Sequence, residues 1–121
     1  MKIILVDDDS DMLFLTSMAL ERIGGHEVVG FHSANDALEY ARANPPDAIL
    51  TDYLMEDMDG PEFLSRILAQ EETARIPVVF LTAKTDANTA ERLRTLGAKG
   101  MIRKPFDLMK IAEEFERILA G

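Results

Sequence analysis

Short apolar runs alternate five times with amphipathic stretches along this chain, and that alternation limits its fold more than any other feature. The runs are Ile3-Ile4-Leu5-Val6, residues 26–31, Ala48-Ile49-Leu50-Thr51, Pro77-Val78-Val79-Phe80-Leu81 and Gly100-Met101-Ile102. Each is short and bounded by turn residues, the pattern of a buried strand. Helical stretches fall between and after them, so the chain reads as five β-strands alternating with five α-helices. Strict alternation requires an α/β fold, a parallel sheet with helices on both faces. Near-continuous apolar strands fit burial on both sides. Right-handed crossovers then bring every strand's carboxyl end to one edge, where doubly wound sheets bind their ligands.

The helix boundaries follow from capping chemistry. Ser10 or Asp9 caps a helix over 12–23, with Leu13, Leu20 and Ile23 facing inward. Gly24-Gly25 stops it. Ser33 with Asp36 resembles a capping box opening a second helix, which Pro45-Pro46 ends. Pro61 starts the third helix, where a missing N–H costs nothing. Thr85 or Asp86 caps a fourth helix that Gly97 closes. Asp107 caps a fifth that carries Leu108, Ile111, Ala112, Phe115, Ile118 and Leu119. No repeat, linker or low-complexity segment interrupts the series, so residues 1–121 read as one domain.

Charge and composition remove several classes of function. The net charge of −9, from 13 basic and 22 acidic residues, argues against binding nucleic acid through its phosphates. With no cysteine, thiol catalysis, disulfides and thiolate metal sites are excluded. The apolar runs, about four to six residues long, fall far short of the roughly 20 needed to span a bilayer. The amino terminus lacks the apolar stretch of a secretory signal. The expectation is a cytoplasmic protein with no membrane contact.

The residues that end the strands carry the chemistry. Asp7 and Asp8 follow the first run, Asp52 the third, Thr82 the fourth and Lys104 the fifth. In a parallel sheet all of them face one crevice. Three crowded carboxylates raise one another's pKa values, and a hard cation relieves that repulsion. Oxygen ligands suit Mg²⁺, which keeps waters and leaves room for phosphate oxygens. An ammonium and a hydroxyl suit phosphoryl oxygens. The set supports transfer of a phosphoryl group to a carboxylate, with Asp52 as in-line nucleophile. An acyl phosphate is labile, which suits a switch better than a store.

Taken together, Val6-Asp7-Asp8, Asp52 with Met55 and Asp59-Gly60, Thr82-Ala83, Gly97-Ala98-Lys99-Gly100 and Lys104-Pro105-Phe106 are specific. In order and spacing the chain resembles the receiver domain of two-component response regulators, the CheY-like family, over essentially its whole length. The resemblance implies a (βα)5 sheet of strand order 2-1-3-4-5. It implies that Asp52 accepts a phosphoryl group from a sensor histidine kinase or a histidine phosphotransfer protein. It places Mg²⁺ on Asp8, Asp52 and the Leu54 backbone carbonyl, with Asp7 acting through a metal-bound water. Thr82 and Lys104 bind the phosphoryl group, with the Leu54 and Ala83 amides, and a cis bond joins Lys104 to Pro105. On phosphorylation Thr82 moves inward with a switch residue at Met101. The partner-binding surface of the fourth helix, fifth strand and fifth helix then changes, Arg92, Thr95, Met101, Lys110 and Ile111 included. The downstream target is an unnamed protein or output domain.

Four positions depart from the family pattern. Glu56 stands where proline usually follows the methionine, and Met101 where a switch aromatic often sits. Leu54 is apolar where many members carry a polar side chain that positions attacking water. Lys84, two beyond Thr82, is basic. Leu54 leads to the expectation of slow self-hydrolysis.

Other readings stay open at this point. Asp7-Asp8-Asp9-Ser10-Asp11 also reads as an acidic turn, Thr82 as a helix cap and Lys104 as a surface lysine. A calcium loop fails because its required glycine is Met12. His26 and His32 show no partner pattern, and the methionines read as core or loop filler. An enzyme is the serious rival, because Asp7-x-Asp9 after a first strand resembles the start of the haloacid-dehalogenase phosphatase motif. Asp11 departs from that motif, and Asp52 would have no role in it. A binding module that is never phosphorylated is the third class.

Overall fold

The computed structural model describes residues 1–83 and 87–121. Ten elements alternate along the chain: β1 (Lys2–Val6), α1 (Ser10–Arg22), β2 (Glu27–Phe31), α2 (Ala34–Ala43), β3 (Ala48–Asp52), α3 (Gly60–Leu68), β4 (Val78–Thr82), α4 (Ala87–Leu96), β5 (Gly100–Arg103) and α5 (Ile111–Ala120). The five strands form one sheet in the order β2-β1-β3-β4-β5, and every pairing is parallel. The sequence-based expectation of a doubly wound sheet holds in both class and order.

Alternation along the strands sends side chains to two cores. Ile4, Val6, Ile49, Val78 and Phe80 pack with α2 and α3 residues such as Ala37, Phe63 and Ile67. Ile3, Leu5, Leu50, Val79, Leu81 and Ile102 pack with Leu20 of α1 and Phe115 of α5. Burial on both faces explains the unbroken apolar strands. The long Phe and Ile side chains in these layers are fully buried, and removing one would cost roughly 2–5 kcal/mol.

Caps decide where helices begin. Asp9, not Ser10, caps α1, its carboxylate accepting from the Asp11 and Met12 amides at 3.0 and 3.2 Å. Asp59 caps α3 by accepting from Glu62 N–H at 2.9 Å, so that helix opens at Gly60, ahead of Pro61. The fifth helix corrects the sequence reading. Asp107 accepts from Met109 N–H at 2.8 Å and its carbonyl from Lys110 N–H at 2.9 Å. These bonds close an isolated turn, and regular helix starts only at Ile111. Ile23, expected inward, is 49% exposed as the last residue beyond α1. His26, expected to lack a partner, lies 2.9 Å from the Glu116 carboxylate of α5. The proposed caps Thr85 and Asp86, and Lys84, lie outside the described residues. Among those described, no helix is long and apolar enough to cross a membrane.

Candidate functional site

The sheet delivers the expected residues to one edge. Asp7 follows β1 directly and still donates its N–H to the Phe31 carbonyl at 3.0 Å, so it is held like a strand residue. Its side chain is buried. Asp8, one residue on, is exposed. Asp52 is the last residue of β3. One carboxylate oxygen from each of Asp7, Asp8 and Asp52 lies within 4.8 Å of the others. From the far side, Lys104 places its Nζ 2.8 Å from Asp52 Oδ1 and 3.9 Å from Asp7 Oδ2. Backbone pairing sets that reach, because Lys104 N–H donates to the Thr82 carbonyl at 2.9 Å just past the Thr82–Arg103 register pair. Thr82 itself is buried at the end of β4. The Lys104–Pro105 bond is cis, as the resemblance implied. Asp52, Tyr53, Leu54, Thr82, Ala83 and Lys104 line a cleft of about 230 Å³.

Electrostatics at this edge are strained by like charges. Burial pushes the Asp7 carboxyl above the usual carboxylate range, and the neighbouring Asp52 and Asp8 push it the same way. A hydrogen bond from the Asp9 amide at 2.9 Å and the Lys104 ammonium oppose the rise without cancelling it. The donors are all oxygens, with one cation already drawn to them. Such a set fits a small hard cation, Mg²⁺ above the softer transition metals. What the arrangement offers chemically is a set of oxygen ligands for such an ion, with an ammonium and a hydroxyl suited to a tetrahedral anion beside them.

A loop between Asp52 and α3 forms the floor. Tyr53 N–H donates to the Leu81 carbonyl at 3.0 Å, and Gly60 N–H returns to the Tyr53 carbonyl at 2.7 Å. Leu54 and Asp59 form an isolated antiparallel bridge. Gly60 is needed where the loop re-enters, because a Cβ there would stand 2.7 Å from Phe80 Cε1. Met58 is buried and Met55 half-buried, and Thr51 Oγ1 donates to Met55 Sδ at 3.5 Å. Leu54 is 63% exposed beside the cleft, and Glu56 is exposed too. Met101 is half-buried against the core on the α4 side of the sheet.

One polar residue of this loop escaped the sequence reading. Asp57 accepts from Ser33 Oγ at 3.0 Å, Ala34 N–H at 3.1 Å and Asn35 N–H at 2.8 Å, all at the start of α2. Ser33 does cap the helix, accepting from Asp36 N–H at 3.2 Å. The acidic partner of that cap is Asp57, not the expected Asp36. Slight burial works against the Asp57 charge, but the Asn35 and Ala34 amides and the Ser33 hydroxyl outweigh it and hold its carboxyl below the usual range. No local spacing rule could have found a partner this far along the chain.

A family model for the response regulator receiver domain matches residues 3–116. The chain belongs to that family. Among receiver relatives, PilH of Pseudomonas aeruginosa is 28% identical over 120 residues, covering 99% of this chain and 98% of its own. The DNA-binding transcriptional regulator NtrC of Proteus hauseri is 35% identical over 115 residues, which is 95% of this chain but 24% of NtrC. The chain therefore spans nearly all of one relative and about a quarter of the other. The receiver fold is shared with the chemotaxis response regulator CheY4 of Vibrio cholerae, with a TM-score of 0.90, 27% identity and 97% of each chain covered. The chain is thus a CheY-like receiver domain of two-component signalling, a signalling domain rather than a conventional enzyme.

Proposed function

We propose that residues 1–121 form one receiver domain in which Asp52 accepts a phosphoryl group from a phosphohistidine, in a Mg²⁺-dependent reaction. The observation that carries this reading is the three-carboxylate cluster within 4.8 Å, with Lys104 Nζ 2.8 Å from Asp52. Asp8, Asp52 and the Leu54 carbonyl would hold Mg²⁺, with Asp7 reaching it through water. Bound there, Mg²⁺ neutralises charge on the transferring phosphoryl group. An Asp52 carboxylate oxygen attacks phosphorus in line as the P–N bond to the donor imidazole breaks. Lys104 exchanges its Asp52 partner for a phosphoryl oxygen, and Thr82 supplies its hydroxyl. The Leu54 and Ala83 amides hold the remaining oxygens. The domain catalyses only its own phosphorylation and dephosphorylation.

Thr82 moving inward would bias a two-state equilibrium that reaches α4, β5 and α5, with Met101 repacking in place of an aromatic switch. Arg92, Thr95 and Lys110 are exposed on that side and Met101 half-exposed. Ile111 leaves the expected set, because it is fully buried. The partners would be a sensor histidine kinase or histidine phosphotransfer protein on one side and a protein target or output domain on the other. Direct nucleic-acid binding and membrane contact have no place in this reading, and a cytoplasmic setting suits it.

The phosphatase rival loses its second aspartate, because the Asp9 carboxylate is engaged as the α1 cap. Incubation with Mg²⁺ and acetyl phosphate tests the reading by intact mass. One added phosphoryl group, absent with EDTA and in Asp52→Ala, is the expected result. No adduct, with a known receiver labelled in parallel, would sink it. The exposed Leu54 leaves attacking water without a polar guide, so Leu54→Asn is expected to shorten the lifetime of the adduct several-fold. An unchanged decay rate would remove that role.

A further inference from the structure

We propose that Asp57 is a positioning residue for the metal and phosphoryl site: by clasping the first turn of α2 it fixes the loop that carries the Leu54 carbonyl. The inference rests on the functional reading above. Three observations converge on it. First, the loop must hold the Leu54 backbone against the acidic cluster, yet Glu56 stands where a proline would restrict the chain. The Glu56 amide donates no hydrogen bond among the described residues. Second, Asp57 supplies restraint one residue later. Its two oxygens accept from Ser33 Oγ, Ala34 N–H and Asn35 N–H at 2.8–3.1 Å. Bonds in which a carboxylate accepts from helix-terminal amides are among the stronger ones in proteins. Third, the remaining loop anchors lie at its two ends or its apolar side. Tyr53 and Gly60 close the neck, the Leu54–Asp59 bridge pairs the arms, and Met58 is buried. Besides the contact of Met55 with Thr51 of β3, Asp57 is, among the described residues, the anchor that ties the tip to a helix, and α2 packs on α3 behind it.

A simple helix cap would make the same bonds without serving the site, and the two roles separate in the metal affinity. Mg²⁺ binding is read by titrating amide resonances in NMR, and fold by thermal midpoint, for wild type, Asp57→Ala and Asp57→Asn. Asp57→Ala is expected to weaken Mg²⁺ binding about tenfold, the low end for outer partners of metal ligands. Asp57→Asn keeps one acceptor oxygen and is expected to fall between. In wild type the Ala34 and Asn35 amides shift as Mg²⁺ is added, and in Asp57→Ala that response is lost. Adding Glu56→Pro to Asp57→Ala is expected to recover affinity although it removes a further negative charge, which separates loop restraint from charge attraction. A lower thermal midpoint with unchanged affinity in both variants would overturn the inference and leave Asp57 a helix cap. Failure of proline to recover affinity would also overturn it, pointing to charge alone. Absence of Mg²⁺ binding by the wild-type chain would overturn the functional reading and this inference with it.

Discussion

Asp7 sits where burial and two neighbouring carboxylates act against its charge. Its folded pKa is raised above the unfolded value, so between the two values the folded state binds more protons than the unfolded one. The stability this shift contributes is therefore greatest at low pH and declines as pH rises from the unfolded value through the folded one. At neutral pH the metal-free protein bears that cost. Asp7→Asn keeps the acceptor for the Asp9 amide and removes the charge, so its metal-free thermal midpoint is expected to rise by a few degrees at pH 7. The gain should shrink at low pH, and a midpoint that falls or stays fixed at pH 7 would contradict it. Asp57 behaves oppositely, with a lowered pKa whose stabilisation is present above the unfolded value and lost as pH falls through the folded one. Both sites are acidic turns in sequence. Asp7 was legible because a strand end fixes its place, whereas Asp57 depends on a partner helix 22 to 24 residues earlier.

At the scale of elements, the β3–α3 connection is where local sequence and tertiary packing meet. Gly60 lets the loop close over the Phe80 ring, which meets Tyr53 edge-on at 6.1 Å between centroids. Gly60→Ala is expected to cost about 1–3 kcal/mol, as overpacking against a buried ring does. Urea denaturation measures it, and a loss below 0.5 kcal/mol, roughly the surface-substitution range, would show that the loop yields freely. Strand cores and most helix starts were legible, since apolar runs and cap residues are local signals. The start of α5 was not, because Asp107 satisfies a single turn and leaves Lys110 to precede the helix without a side-chain cap. The pairing of His26 with Glu116 spans 90 residues and has no local trace.

Across the whole molecule, parallel order turns four separate strand ends into one site. Successive members of the set Asp7, Asp52, Thr82 and Lys104 are 22 to 45 residues apart in sequence, yet the sheet order places β1, β3, β4 and β5 side by side. That arrangement makes the site readable from the strand pattern before any contact is known. The α4–β5–α5 surface was less readable: Ile111 was expected on it, but its place on the apolar stripe of α5 with Ala112 and Phe115 takes it into the core on the α1 side of the sheet. If phosphorylation shifts the whole α4–β5–α5 side, a phosphoryl mimic such as beryllofluoride with Mg²⁺ should move the amide resonances of Arg92, Thr95, Met101 and Lys110. Changes confined to the loop after Asp52 would contradict a global switch.

The central claim is that Asp52, rather than Asp7 or Asp8, takes the phosphoryl group. Borohydride reduces an aspartyl phosphate to homoserine, so labelling with acetyl phosphate and Mg²⁺, reduction and peptide mass mapping locate the acceptor directly. Homoserine at position 52 alone, dependent on Mg²⁺, is the predicted result. Homoserine at position 7 or 8, or an unreduced Asp52 in protein that carries phosphate, would contradict the account.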